Sequence, residues 1–119
     1  MRINLEGVKG VFLAHGSTDM RLSMDGLAAR VQETFELDPF SSNLFIFCNR
    51  QQDRIKILHW DHNGFWLYYR RLENGTFNWP QGPEDETMQI TPRQLIWLLE
   101  GLTLEDGRVF PKMNVKKVV

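Results

Sequence analysis

The chain has little cysteine, little net charge and no long apolar run, and each scarcity argues against a class of protein. Cys48 is the single cysteine in 119 residues, so no intramolecular disulfide can form, which argues against a small disulfide-stapled secreted domain. The first apolar run, residues 11–14, is far shorter than a signal sequence or a membrane span requires. We therefore expect a cytoplasmic protein that has no contact with the membrane.

The rest of the composition is that of a folded domain. Hydrophobic residues make up 42% and charged residues 24% of the chain, which argues against a disordered, collagen-like or coiled-coil protein. We expect a single domain over residues 1–119. Its basic C-terminal end, residues 108–119, is a candidate flexible segment.

Basic charge is concentrated in the middle of the chain. The formal net charge of −1 does not by itself indicate a nucleic-acid-binding protein. Residues 44–72, however, carry five basic and two acidic side chains, a net charge of +3, whereas residues 1–43 and 73–119 carry −2 each. The distribution of charge is therefore a better guide to a nucleic-acid partner than the net charge.

Two amphipathic segments are predicted to be helices. Apolar residues at helical spacing predict the first over residues 20–35, with Ser23 as its N-cap. The second begins after Thr91, because Pro92 suits the first helical position and Gln94 completes a capping-box pattern.

Turn signals between the two helices separate short apolar or alternating runs, which predict a β-meander. Its strands are expected over residues 44–48, 54–61, 65–72 and 76–79, with a short edge strand over 87–90. The expected fold class is α+β: an antiparallel meander of four to five strands with the two helices packed on one face. Whether the apolar segment over residues 8–14 joins this sheet stays open.

The central hairpin carries the most suggestive side chains. A two-residue Asn63-Gly64 turn would place Lys56 opposite Arg71. Like charges opposed across a sheet cost stability, so a cation pair kept there suggests an anionic partner. Aromatic rings on the same face could stack on bases. The candidate nucleic-acid-binding residues are Arg50, Arg54, Lys56, Arg70, Arg71, Trp60 and Tyr69.

A plainer interpretation of the hairpin stays open, in which the aromatic rings belong to the core and the cations line a solvated strand end. No catalytic or metal-binding site is predicted. His59 and Asp61 share a strand face that His62 does not, and zinc-site spacing is missing. Cys48 follows an apolar run, which is typical of a buried thiol. The sequence therefore indicates no cofactor and no small-molecule substrate.

Several ordered segments resemble a known family. They are residues 16–21 (GSTDMR), 25–28 (DGLA), 37–40 (LDPF), 44–50 (LFIFCNR), 53–56 (DRIK), 60–61 (WD), 63–72 (NGFWLYYRRL), 77–80 (FNWP), 91–95 (TPRQL) and 98–101 (LLEG). Over residues 11–102 the chain is similar to the TnpB-type, Orf2-like accessory protein of IS66-like insertion sequences. The large RNA-guided nuclease that shares the label TnpB is unrelated.

The resemblance implies a bacterial protein that is encoded beside a transposase and assists transposition, with catalysis left to that separate chain. It supplies no catalytic residues. The first hypothesis is a non-catalytic accessory protein that binds DNA through the basic, aromatic hairpin. The alternative is an adaptor that binds the element's transposase without contacting DNA, and an enzyme in its own right is a third and weaker hypothesis.

Overall fold

The described part of the chain forms one five-stranded sheet with a helix on each face. The computed structural model describes residue 3 and residues 5–105. The strands are β1 (Val11–Ser17), β2 (Leu44–Cys48), β3 (Arg54–Asp61), β4 (Gly64–Arg71) and β5 (Thr87–Ile90), and the helices are α1 (Met24–Ala29), which continues as a π-helix over Arg30–Thr34, and α2 (Pro92–Leu99).

The strand order is β4-β3-β2-β1-β5. Strands β2, β3 and β4 form the predicted antiparallel meander, and β5 pairs antiparallel with β1. The predicted α+β class is confirmed. One pair differs from the expectation: β1 lies parallel to β2, because α1 and its flanking loops carry the chain back across the sheet between them. The apolar segment near the N-terminus therefore joins the sheet as an interior strand, between β2 and β5.

The two helices lie on opposite faces of the sheet, and the prediction that both pack on one face was wrong. Leu95 and Leu98 of α2 pack on the face that includes Ile46, which we call the α2 face. Leu27 of α1 packs on the other face, the α1 face, against Phe47. All five residues of β2 are buried, as a strand covered on both sides requires.

Helix α1 is shorter than the predicted span over residues 20–35. The chain before it is held in a turn, where the Leu22 amide donates to the Asp19 carbonyl at 3.1 Å. Ser23 occupies the N-cap position but its side chain makes no capping hydrogen bond. The first residues that periodicity assigned to the helix therefore form a turn before it.

Helix α2 follows the sequence prediction closely. The Gln94 amide donates to the Thr91 hydroxyl at 3.1 Å, and the Thr91 amide donates to the Gln94 side chain at 2.8 Å. Pro92 follows the cap. The short strand predicted over residues 87–90 is also present, as β5.

The central hairpin turns one residue earlier than predicted, which shifts the pairing of its strands by two residues. Asp61 pairs with Gly64, so the turn consists of His62 and Asn63. The left-handed conformation lies at His62, with φ of 61°, and Gly64 is already in the strand. Because the register shifts by two, each side chain keeps its predicted face but changes its partner.

Residues 76–79 do not form the predicted fourth strand of the meander. Phe77 and Trp79 are buried in the core of the α2 face. The Phe77 amide donates to the Gln52 carbonyl at 2.8 Å, and the Trp79 indole donates to the Ala14 carbonyl at 2.9 Å. The alternation of apolar and polar residues predicted a paired strand. In the structure it corresponds to an extended segment that covers the sheet.

The basic end over residues 108–119 lies outside the described residues. Among residues 3 and 5–105, no helix is both long and apolar enough to cross a bilayer.

Candidate nucleic-acid interface

The hairpin of β3 and β4 divides the candidate residues between its two faces. Arg54, Lys56 and Trp60 alternate with buried residues of the α2 face and so lie on the α1 face. Tyr69 pairs with Lys56 and shares that face. Arg70 lies on the other face, where it lines a groove beside α2. The seven candidates therefore do not form one surface.

Arg54 and Arg71 are the like-charged pair of the hairpin, in place of the predicted Lys56 and Arg71. The Arg71 Nε lies 3.1 Å from the Glu73 carboxylate in an exposed ion pair. The Arg54 Nε is buried and has no hydrogen-bond partner among the described residues. Of the two opposed cations, only Arg71 has a carboxylate beside it.

Lys56 is engaged within the fold. Its ammonium donates to the carbonyl oxygens of Met20 and Leu22 at 2.7 and 2.8 Å. It also lies 5.9 Å from the centre of the Tyr69 ring. Since an ammonium has three donors, two are used to hold the segment before α1 against the sheet.

A cleft of about 590 Å³ opens where the parallel strands β1 and β2 end. Parallel strands end at the same edge of a sheet, which brings the loops that follow them together. The cleft is lined by Ser17, Thr18, Asp19, Met20, Arg21, Asn49, Arg50, Gln51, Arg54 and Tyr69. It therefore gathers three of the predicted residues, Arg50, Arg54 and Tyr69, with several that the sequence did not indicate.

Thr18 is the unusual polar residue of the cleft. It is 3% exposed, and its amide donates to the Cys48 carbonyl at 2.8 Å. Its hydroxyl is buried and has no hydrogen-bond partner among the described residues. A buried polar group without a partner costs about 1–3 kcal/mol. Such a cost at the wall of a cleft suggests a position that a ligand oxygen can satisfy.

Asn49 fixes the loop that follows β2. Its Oδ1 accepts hydrogen bonds from the amides of Asp53 and Arg54, both at 3.0 Å. Its Nδ2 donates to the Asp53 carboxylate at 2.7 Å. The side chain is 7% exposed, and these bonds are partly buried. The loop that carries Arg50 and leads into Arg54 is therefore held rigidly.

The carboxylate of the cleft is already paired. Asp19 Oδ2 lies 2.7 Å from the guanidinium of Arg21. The hydrogen bonds from the side chain and amide of Arg21 lower the pKa of Asp19 from 3.8 to about 2. Neither Arg50 nor Arg54 has an ion-pair partner within the part of the chain described. The cleft therefore carries excess positive charge.

The cleft lacks the features of a nucleophilic centre. Burial raises the pKa of the Cys48 thiol to about 12, so the sulfur stays protonated and is a poor nucleophile. Within residues 3 and 5–105, no three histidine, cysteine, aspartate or glutamate side chains are grouped closely enough to hold a metal ion. What the cleft offers chemically is positive charge, hydrogen-bond donors and one aromatic ring.

Trp60 belongs to a separate aromatic cluster at the turn end of the hairpin. Its ring centre lies 5.1 Å from that of Phe40 and 5.0 Å from that of Phe65. Phe40 is 55% exposed. Trp60 is six positions along β3 from Arg54, a separation of about 20 Å in a strand. One ligand at the cleft therefore does not also stack on Trp60.

Sequence reasoning missed Thr18, Asn49 and Arg21. Asn49 directly follows the apolar run of β2, which was visible in the sequence, and Thr18 directly follows β1. Their proximity depends on the parallel pairing of β1 with β2, which periodicity does not reveal.

Comparison with known proteins identifies the family. The profile of the IS66 Orf2 like protein family matches residues 9–108. The chain belongs to this family. Membership implies an accessory role in transposition and an association with the transposition machinery.

Two relatives come from Sinorhizobium fredii (strain NBRC 101917 / NGR234), and both are uncharacterized proteins. The protein y4hO is 41% identical over 92 residues, which span 77% of this chain and 79% of y4hO. The protein y4jC is 30% identical over 92 residues, which span 77% of this chain and 78% of y4jC. No solved structure gives a significant match.

Proposed function

We propose that this protein is a non-catalytic accessory factor that binds DNA during transposition, through the cationic cleft and the adjacent end of the β3–β4 hairpin. The observation that carries the proposal is the pair of guanidinium groups, Arg50 and Arg54, at a cleft whose one carboxylate is neutralised by Arg21. Arg71 extends the same charged end, because it lies opposite Arg54.

The chemistry of these groups suits phosphate. A guanidinium presents a planar set of donors that matches two phosphate oxygens, and it keeps its charge at any physiological pH. Binding would release the counterions condensed on the DNA. If Arg50, Arg54 and Arg71 each neutralise one phosphate, the logarithm of the affinity falls against the logarithm of salt concentration with a slope of about −3.

Lys56 is a poor residue to replace in a test of this proposal. Lys56 holds the segment before α1, so its charge reversal would disturb the fold as well as the surface. Arg50 and Arg71 are exposed and are better targets. Arg93, an exposed residue of α2, allows a control with the same type of substitution, arginine to glutamate, at one site away from the cleft.

The measurement is fluorescence anisotropy with a duplex that carries the terminal repeat of the element, across a salt series. Arg50→Glu/Arg71→Glu should abolish tight binding, and Arg93→Glu should leave it within about twofold. A scrambled duplex shows whether sequence is read. A salt slope near zero, or equal losses in both variants, would refute phosphate binding at this end of the sheet.

The second candidate function is that of an adaptor for the transposase, and the aromatic cluster at the turn end favours it. Phe40 is half-exposed although it packs on Trp60 and Phe65, and aromatic residues are enriched at the centres of protein interfaces. Pull-down of the purified transposase tests this function. Phe40→Ser should lose the transposase and retain DNA, whereas Arg50→Glu/Arg71→Glu should do the reverse. If Phe40→Ser still binds the transposase, the aromatic cluster is not the adaptor surface.

A further inference from the structure

We propose that the cleft holds one nucleotide of a DNA strand whose bases are unpaired, with the phosphate on Arg54 and Thr18 and the base on Tyr69. This inference rests on the proposed function and narrows its ligand to single-stranded DNA or a frayed strand end.

The phosphate position follows from two buried polar atoms that lack partners. The Thr18 hydroxyl and the Arg54 Nε are both buried, both belong to residues that line the cleft, and neither has a hydrogen-bond partner among the described residues. Thr18 is 97% buried, since only 3% of it is exposed. A phosphate oxygen accepts hydrogen bonds from both donor types, and Arg50 at the same cleft adds charge.

The base position follows from Tyr69. Its side chain is 52% exposed and lines the same cleft. The ring lies over the Lys56 ammonium at 5.9 Å. A second ring face on the solvent side can take a base, since stacking on an aromatic ring tolerates any sequence.

The spacing of the two positions fits one nucleotide. Arg54 pairs with Arg71, and Tyr69 lies two residues before Arg71 on the same strand face. Diagonal neighbours of this kind are separated by about 7–8 Å. Bases within a continuous duplex stack on each other and cannot lie on Tyr69 while their phosphate occupies the cleft. A strand with unpaired bases can satisfy both positions together.

The experiment compares the binding of three nucleic-acid probes to the full chain. A labelled single-stranded oligonucleotide is titrated by fluorescence anisotropy, and a relaxed, covalently closed circular duplex, which has no ends, serves as the competitor. A 5′-phosphorylated thymidine dinucleotide is titrated separately by nuclear magnetic resonance. Tyr69→Ala and Thr18→Val are the test variants, and Tyr69→Phe, which retains the ring, is the matched control. Thermal unfolding of each variant identifies any that fails to fold.

The expected result is preferential binding of the single strand, with weak competition by the circular duplex. Tyr69→Ala should lower the affinity for the single strand by about 5- to 100-fold, and Tyr69→Phe should keep it. Thr18→Val should lower the affinity for the single strand and leave the affinity for the circular duplex unchanged. The dinucleotide should shift the resonances of Thr18 and Arg54.

Three other results would overturn one or both proposals. If the circular duplex competes as well as the single strand and Tyr69→Ala changes neither, the nucleotide site is wrong while DNA binding stands. If the dinucleotide shifts the resonances of Thr18 and Arg54 but neither the oligonucleotide nor the duplex binds, the nucleotide site stands and the DNA-binding function is wrong. If no probe binds at low salt, both are wrong.

Discussion

The ammonium of Lys56 donates a 2.7 Å hydrogen bond to the carbonyl oxygen of Met20, 36 positions earlier in the chain. A second bond, to the carbonyl of Leu22, spans 34 positions. The two bonds fasten the segment before α1 to the middle of β3. Lys56, which the sequence predicts to be a nucleic-acid-binding residue, is therefore part of the scaffold that shapes the cleft.

Replacement of this lysine should destabilise the fold. We expect Lys56→Met to lower the free energy of unfolding by about 1–3 kcal/mol, because two partly buried carbonyl groups lose their donor. Urea unfolding followed by tryptophan fluorescence measures the change. The exposed Lys9 provides the control, and Lys9→Met should change stability by less than about 0.5 kcal/mol. Equal stabilities of the two variants would show that the bonds are replaced by water without cost.

The two buried threonines should respond in opposite ways to removal of the hydroxyl. Thr18 Oγ1 has no partner among the described residues, whereas Thr103 Oγ1 donates to the Glu105 carbonyl at 3.0 Å. Thr103→Val should therefore cost about 0.5–1.5 kcal/mol, and Thr18→Val should be neutral or slightly stabilising. Chemical denaturation of both variants tests this. A loss at Thr18 as large as that at Thr103 would mean that its hydroxyl is satisfied.

The ion pair of Asp19 with Arg21 should be visible in a titration. The folded pKa of Asp19 is about 2, below the usual 3.8 of an aspartate, so the pair contributes to stability above pH 3.8 and that contribution is lost as the pH falls towards 2. Arg21→Gln should move the pKa of Asp19 upward, although the amide of residue 21 still donates to it. Carboxyl chemical shifts measure both values, with Arg93→Gln as the control. An unchanged pKa in Arg21→Gln would contradict the assigned cause.

A tight contact beside β1 should make one glycine hard to replace. A Cβ at Gly82 would overlap the imidazole ring of His15, whereas a Cβ at Gly64 would meet nothing within 4 Å. We expect Gly82→Ala to cost about 1–3 kcal/mol, because the crowded ring must move. Gly64→Ala should be tolerated without such a loss. Thermal unfolding compares the two variants, and similar midpoints would show that the segment around residue 82 adapts freely.

Local signals predicted those elements that depend on neighbouring residues. The capping box at Thr91 and Gln94 is complete within four residues of sequence, and it forms as expected. The apolar run of β2 is likewise a local feature. The hairpin turn was misplaced by the Asn63-Gly64 signal, because the structure accepts a left-handed conformation at His62.

The sequence by itself determined the α+β class, where β2 to β5 and the second helix lie, and which side chains of the hairpin share a face. These follow from periodicity, turn residues and capping, which act over a few residues. Only the tertiary structure decided that β1 runs parallel to β2 and that the helices lie on opposite faces. It also placed Thr18 and Arg54 at one cleft and assigned Lys56 to the scaffold. These relationships depend on packing between segments about 35 residues apart, which no local pattern records.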